Sequence, residues 1–151
     1  MSVLSRRAGP GYHAGMHELF EHTADLGLRA TAPGLDALFA EMATCLFSAI
    51  VENPDAVRPA VEQRVEVAGA DRDFLLFDWL KELLYRFDTE QWLLARSEVS
   101  VRGDGLSARV WGEPFDPARH VLSHEVKAIT YHELKVEPVA SEWLAEVIVD
   151  I

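Results

Sequence analysis

The sequence predicts an α+β fold: a single compact domain of mostly antiparallel strands with two core helices. Short segments of alternating apolar and polar residues, typical of strands, recur along the chain. Two longer segments carry apolar stripes at helical spacing. Turn signals separate neighbouring strand segments, which favours antiparallel pairing. The chain has 151 residues, the size of one domain with a substantial core.

The first part of the chain contains a predicted extension and two strands. Residues 1–15 are rich in Gly, Ser and Arg and include Pro10, so we expect a flexible N-terminal extension outside the domain. The domain then covers residues 16–151. Alternation predicts strands over residues 16–21 and 26–31, joined by the polar link His22-Thr-Ala-Asp25. Because the extension lacks apolar content, its removal should leave stability and function unchanged.

Both predicted helices are amphipathic. Residues 35–52 carry an apolar stripe, and the polar residues of this segment are expected to face outward: Asp36, Glu41, Thr44, Ser48 and Glu52. Residues 72–88 follow the capping residue Asp71 and carry a broader stripe, formed by Phe74, Leu75, Phe77, Trp79, Leu80, Leu83, Leu84 and Phe87. A stripe of this width is covered on more than one side, so we expect the second helix at the centre of the core.

The remaining predicted elements are strands. Residues 61–67 alternate between the two helices, and residues 92–102 and 106–112 flank Gly103-Asp-Gly105, a strong hairpin signal. Two prolines make residues 112–117 a predicted loop. The last strands cover residues 126–136 and 143–151, although neither face of the first is cleanly apolar.

Composition narrows the possible functions. The formal net charge of -11 argues against direct binding of nucleic acid and favours a basic protein surface or a metal ion as partner. One cysteine excludes an internal disulfide and a cysteine-based zinc site, which points to a reducing compartment and a cytoplasmic location. No apolar run is long enough to span a membrane. No P-loop, Gly-x-Ser-x-Gly or dinucleotide-binding motif is present.

Polar groups cluster at the ends of the predicted strands. They are His22, Asp25, Glu113, Asp116, Lys127, His132, Asp150 and the C-terminal carboxylate of Ile151. Each alone is typical of a turn or a surface. If Asp25 and Asp150 meet, however, they form an oxygen-rich pocket suited to Ca²⁺, Mg²⁺ or Mn²⁺.

Five segments of the chain carry motifs that are characteristic in combination: Phe20-Glu-His-Thr-Ala-Asp-Leu-Gly-Leu28, Phe74-Leu-Leu-Phe-Asp-Trp-Leu-Lys-Glu-Leu-Leu84, Gly112-Glu-Pro-Phe-Asp116, Val126-Lys-Ala-Ile-Thr-Tyr-His-Glu-Leu134 and Val147-Ile-Val-Asp-Ile151. Together they resemble the archease family, small activators of RtcB-type RNA ligases. They occur in the family's order over nearly the whole predicted domain. The His-Thr-Ala-Asp and Lys-Ala-Ile-Thr-Tyr-His elements are the most specific.

The resemblance implies a compact α+β domain with a divalent-metal site, commonly assigned as calcium. Its ligands here would be Asp25, Asp150 and the Ile151 carboxylate. It also implies a non-catalytic role in tRNA splicing and RNA repair, in which the protein promotes guanylylation and multiple turnover of the ligase. Lys127 is then a candidate for contact with a phosphate or with the ligase.

Two other classes of function are open at this stage. One is a stand-alone metal-dependent hydrolase that uses Asp25 and Asp150, for which only His22 and His132 stand as nearby general bases. The other is a small metal-binding chaperone or interaction module. Activity of the protein alone, compared with activity in the presence of ligase and GTP, separates the three classes.

Overall fold

The computed structural model describes residues 3–6, 15–22 and 25–151, which form two sheets and two long helices. The strands are β1 (Val3–Arg6), β2 (Met16–His22), β3 (Asp25–Ala32), β4 (Val61–Ala68), β5 (Trp92–Arg102), β6 (Gly105–Pro114), β7 (Ala128–Ile129), β8 (Lys135–Val139) and β9 (Glu142–Asp150). The helices are α1 (Leu35–Ile50) and α2 (Arg72–Glu90), and a short 3₁₀ turn covers Pro54–Ala56. This is the α+β fold that the sequence predicts.

The nine strands pair antiparallel throughout. The larger sheet has the order β1-β2-β3-β9-β7, with β8 also paired to β9, and the smaller sheet has the order β4-β6-β5. The hairpin predicted around Gly103-Asp-Gly105 is confirmed, because Arg102 pairs with Gly105 across a two-residue turn. Strand β2, the first strand of the predicted domain, is therefore separated from the last strand, β9, only by β3.

Helix α1 occupies the centre of the core. The width of the apolar stripe on α2 predicted α2 in this position instead. Helix α1 packs against β3 of the large sheet and against β5 of the small one. Cover on two sides also buries Glu41 and Thr44, which were predicted to face outward. Glu41 is paired there with the buried His17 of β2, which gives its carboxylate a polar partner inside the core.

Helix α2 packs beside α1 and is exposed along its outer side. Asp71 caps it by accepting hydrogen bonds from the backbone N–H groups of Asp73 and Phe74, at 2.9 and 3.2 Å. The Trp79 indole N–H donates to the Phe39 carbonyl of α1 at 2.9 Å. Phe74, predicted to lie in the apolar stripe, is instead 53% exposed.

The prediction of one strand over residues 126–136 is wrong, because the chain forms two short strands, β7 and β8, with a turn between them. Glu133 has a positive φ of 54°, which an extended strand does not accommodate. The Thr130 hydroxyl donates to the Ile148 carbonyl at 2.8 Å and accepts from the His132 N–H at 3.2 Å. The ladder with β9 is thus interrupted between two separate pairings.

Two further boundaries differ from the predictions. Strand β6 continues through Glu113 to Pro114, where a loop was expected, because proline is tolerated at the end of a strand. Within the predicted extension, Val3–Arg6 form β1 and pair with β2. Backbone pairing at a sheet edge needs no apolar side chains, which the composition argument overlooked. Residues 1–2 and 7–14 lie outside the described residues, and the dispensability of residues 1–15 stays a prediction.

The central residues of α2 provide a test of the core. Trp79, Leu80 and Leu83 are each fully buried, as predicted. Leu83→Ala should lower the free energy of unfolding by about 2–5 kcal/mol in urea denaturation, because it leaves a cavity in the core. Tyr85→Ala, at a position that is 61% exposed on the same helix, is the matched control and should change it by about 0.5 kcal/mol or less. Equal losses in the two variants would contradict this core assignment.

Candidate functional site

The structure brings Asp25 and Asp150 together at one end of the large sheet. Asp25 is the first residue of β3, Asp150 is the last residue of β9, and the two are direct cross-strand partners. The register is fixed further along by pairs such as Leu28 with Val147, both fully buried against the core. A shift by one residue would move these side chains to the opposite face, so burial holds the two aspartates in register.

Both aspartates lie on the face of the sheet that points away from α1. Side chains alternate along a strand, so Asp25 shares a face with Arg29, and Asp150 shares a face with Glu146. Arg29 and Glu146 form an ion pair at 3.1 Å across β3 and β9, which confirms their common side. Directly opposed side chains in such a pair have Cβ atoms about 4.5–5.5 Å apart.

The charges along this face are balanced except at its end. Across β2, β3, β9 and β8, the partners Glu18, Arg29, Glu146 and Lys135 form a ladder of alternating sign, with Lys135 3.1 Å from Glu146. At the end of the sheet, Asp25 and Asp150 oppose each other with like charge, which is unfavourable in a cross-strand pair. A bound cation would remove that repulsion.

Neighbouring residues complete the end of the sheet, which we call the acidic tip: His22, Asp25, Lys127, Asp150 and Ile151. His22 is the backbone partner of Asp25, and the Lys127 N–H donates to the Asp150 carbonyl at 2.7 Å. Ile151 follows Asp150 and is partly buried. Thr23 and Ala24, which connect β2 to β3, lie outside the described residues.

Gly27 shows why the motif around Asp25 needs a residue without a side chain. It lies between Asp25 and Arg29 on the outer face, and the Phe20 ring packs over it. A Cβ atom at position 27 would stand 2.1 Å from Phe20 Cζ, closer than any real contact. The Phe20 ring can therefore lie across β3, beside Arg29, only because Gly27 leaves room for it.

The tip offers oxygen ligands of the kind that hard cations prefer. Within residues 3–6, 15–22 and 25–151, no three His, Cys, Asp or Glu side chains come together as a ready-made metal cluster. The carboxylates of Asp25 and Asp150 meet at the tip, and Mg²⁺ or Mn²⁺ sites commonly combine one or two carboxylates with water or a partner's oxygens. The residues present therefore fit a divalent cation that is completed from outside the protein.

The other predicted site residues lie elsewhere. His132 stands in the turn between β7 and β8 and is exposed. Glu113, at the end of β6 in the small sheet, is buried, and Asp116 lies in the loop that follows. The structure thus separates these two carboxylates from the acidic tip by placing them at the other sheet.

Glu113 and Asp116 belong to a hydrogen-bonded network with Arg119 and His120. Glu113 accepts from Arg119 Nη1 at 3.0 Å, from the Arg58 N–H at 2.7 Å and from His120 Nε2 at 3.0 Å. The Asp116 N–H donates to His120 Nδ1 at 2.9 Å, so the ring proton is on Nε2, facing Glu113. Sequence reasoning gave Arg119 no role. This network ties the loop after β6 to the small sheet and is structural.

Electrostatics in this network favour the ionised carboxylates. The hydrogen bond from Arg119 outweighs desolvation and lowers the pKa of Glu113 from 4.5 to about 2. The pKa of Asp116 is also lowered, chiefly by the backbone hydrogen bond from Ala118. Because the Glu113 pKa is depressed in the folded state, its stabilisation is complete above pH 4.5 and is lost as pH falls through about 2.

Replacement of Glu113 tests this assignment. Glu113→Gln should unfold more easily than the wild type at neutral pH, because Arg119 loses one of its two charged partners, Glu113, and keeps only Asp116. The difference in unfolding free energy should narrow as pH falls from 4.5 towards 2, measured by urea denaturation at each pH. Asp104→Asn, whose side chain is 90% exposed, is the control and should show a nearly constant, small difference. If the difference in unfolding free energy between Glu113→Gln and the wild type does not change with pH, the network has no role in acid stability.

Comparison with known proteins identifies relatives of this chain. Residues 17–151 match the model of the Archease protein family (MTH1598/TM1083). The chain is 40% identical over 139 residues to the protein archease of Pyrococcus furiosus, covering 89% of this chain and 97% of that protein. It is 41% identical over 138 residues to the protein archease of Methanopyrus kandleri, covering 89% and 98%.

Solved structures agree with the sequence match. The solution structure of protein 1598 from Methanobacterium thermoautotrophicum has a TM-score of 0.74 at 34% identity, covering 88% of this chain and 96% of that one. The crystal structure of an archease from Thermotoga maritima, described as a possible chaperone, has a TM-score of 0.61 at 19% identity and covers 87% and 94%. That likeness concerns the fold. From its sequence relatives and the family model, the chain belongs to the archease protein family.

Proposed function

We propose that this protein is a metal-binding accessory factor that activates an RtcB-type RNA ligase in tRNA splicing and RNA repair. In this role it promotes ligase guanylylation and multiple turnover and is not itself the catalyst. Membership of the archease family supports the proposal. The observation that carries it is the direct pairing of Asp25 with Asp150 at an exposed sheet end, where two like charges face each other.

The acidic tip would hold the metal through Asp25, Asp150 and the C-terminal carboxylate of Ile151. A bound divalent cation supplies positive charge that can organise phosphate oxygens or a nucleotide. Asp150 is exposed and Asp25 is partly so, which leaves the tip open to a partner. Calcium is the expected occupant in structures, and magnesium or manganese also suits these ligands.

The charge of the protein favours a protein partner over RNA. A net charge of -11 repels a phosphate backbone and attracts a surface rich in Lys and Arg, such as a ligase site that binds RNA and nucleotide. The side chain of Lys127 is exposed, and the hydrogen bond from its backbone N–H to the Asp150 carbonyl places this cation at the tip. It is placed to contact a phosphate or an acidic group of the ligase. No helix in the described part of the chain is long and apolar enough to cross a membrane.

A chaperone-like interaction module is the second candidate, since the Thermotoga maritima structure is described as a possible chaperone. Under that proposal the protein would bind its partner without changing the partner's chemistry. A stand-alone hydrolase is the third, and it would act without ligase. Incubation of RNA with the protein alone, with ligase and GTP, and with all three together separates these functions.

Replacement of the tip aspartates tests the proposed function most directly. Asp25→Ala and Asp150→Ala should fold normally, because these groups lie at an exposed end of the sheet. Affinity for Ca²⁺ or Mn²⁺, measured by calorimetry, should fall by about tenfold or more, and stimulation of ligase guanylylation should fall with it. A short C-terminal extension should have the same effect, because it removes the Ile151 carboxylate and crowds the tip.

Asp104→Ala is the matched control, since it removes an exposed carboxylate from the hairpin of the small sheet. It should retain metal binding and ligase activation. Full activation by correctly folded Asp25→Ala and Asp150→Ala variants would refute the proposed tip mechanism and favour the interaction module.

A further inference from the structure

An aromatic groove lies beside the acidic tip, between α2 and β7. It measures about 400 Å³, and its lining includes Phe77, Lys81, Leu84 and Tyr85 of α2 and Lys127 and Tyr131 before and after β7. Phe77, Leu84 and Ile129 are buried and form its apolar floor. Tyr85 and Tyr131 are 61% and 60% exposed and stand at its rim. The protein therefore displays large aromatic surface in a place where an apolar floor is within reach of a partner.

The aromatic surface continues beyond the groove along α2. Tyr131 stacks on Phe77 with ring centroids 4.0 Å apart, and its edge contacts Phe74 at 5.5 Å. Phe74 is 53% exposed, so the strip extends from Phe74 to Tyr85, about 17 Å along the helix. This length exceeds a small-molecule site and suits a segment of another protein. Exposed tyrosines around an apolar centre are typical of protein interfaces.

The charge at the groove differs from that of the chain as a whole. Lys81 and Lys127 are two of the three lysines in the sequence, and both line the groove. Lys135, the third, is paired with Glu146 and Glu137. Lys81 and Lys127 form no ion pair with any residue in the ranges that the structure describes. With only Asp88 as a lining acid, the groove favours a partner that brings carboxylates.

The groove and the acidic tip are continuous through β7. Ala128 lines the groove and is also the backbone partner of Asp150. Lys127 lines the groove and donates its backbone N–H to the Asp150 carbonyl. A partner that approaches the tip is therefore brought against the groove.

We infer that this groove is a docking surface for the same ligase that the tip activates, an inference that rests on the proposed function. The segment it accepts presents an aliphatic or aromatic side chain flanked by carboxylates. The apolar side chain enters the groove between the exposed rings of Tyr85 and Tyr131, and the carboxylates pair with Lys81 and Lys127. The groove supplies affinity, whereas the acidic tip supplies the activating effect.

This division of labour predicts separate effects on binding and on activation. Tyr85→Ala and Lys81→Glu should each weaken binding of the full-length protein to an RtcB-type ligase by about tenfold, because interface tyrosines and complementary charges dominate such surfaces. The protein concentration that gives half-maximal ligase activation should rise by the same factor. Maximal activation at saturation should be unchanged. Lys81→Arg, which keeps the charge, should bind like the wild type.

Val61→Ala is the matched control, because Val61 is 46% exposed on β4 of the other sheet. It should bind and activate normally, and unfolding curves for all variants verify that the fold is intact. If Tyr85→Ala and Lys81→Glu both bind the ligase as tightly as the wild type does, and the wild type activates the ligase, the docking surface is refuted and the proposed function is not. Failure of the wild type to bind or activate the ligase overturns the proposed function, and the docking inference with it.

Discussion

The burial of α1 between two sheets is the constraint on which the rest of the structure depends. Its apolar residues pack against β3 on one side and β5 on the other, so a segment of 16 residues is nearly enclosed. Burial of large apolar side chains is the main source of stability in a domain of this size. Because α1 packs against β3 and β9, the burial of Leu28 and Val147 in the core also fixes how these two strands align. The register at the core thereby determines which residues meet at the distant end of the sheet.

The acidic tip follows from this register, which sets two like charges opposite each other. On the same face, the ladder from Glu18 to Lys135 pairs each charge with its opposite across the strands. Asp25 and Asp150 instead face each other, with Ala128 as the next partner beyond Asp150. The fold tolerates this arrangement because the pair is at an exposed end and the core holds the strands in place. Such a pair is suited to take up a cation, and β7 joins it to the groove that Lys81 and the tyrosines form.

Much of the fold is contained in local sequence patterns, because alternation and helical spacing report which side of an element is buried. The hairpin at Gly103-Asp-Gly105 and the burial of Leu83 were predictable for this reason. The burial of Glu41 was not, since amphipathic spacing assumes that a helix has one open side, and α1 is covered by a sheet on each of two sides. The break after β7 depends on the turn at Glu133 and on hydrogen bonds of Thr130, neither of which leaves a periodic signal.

The residues of the candidate site could be predicted from the sequence, but their positions relative to one another could not. Asp25 and Asp150 could each be assigned to the end of a strand, but their contact depends on β3 and β9 being neighbours, which tertiary packing decides. The tip was therefore a conditional prediction until the topology was known. The groove was hidden for a different reason. Phe74 is predicted to be a core residue of α2, and only its 53% exposure beside Tyr131 shows that this side of the helix is open.

We propose that Asp25 and Asp150 repel each other until a cation binds between them, and stability measurements test this without any partner. Asp25→Asn removes one of the two charges with little change in shape. In the presence of a chelator, this variant should be more stable than the wild type by about 0.2–1 kcal/mol, the usual size of a cross-strand pair interaction. In millimolar Ca²⁺ or Mn²⁺, the order should reverse, because the wild type gains binding energy that the variant lacks. An unchanged stability difference with and without divalent cation would contradict the account.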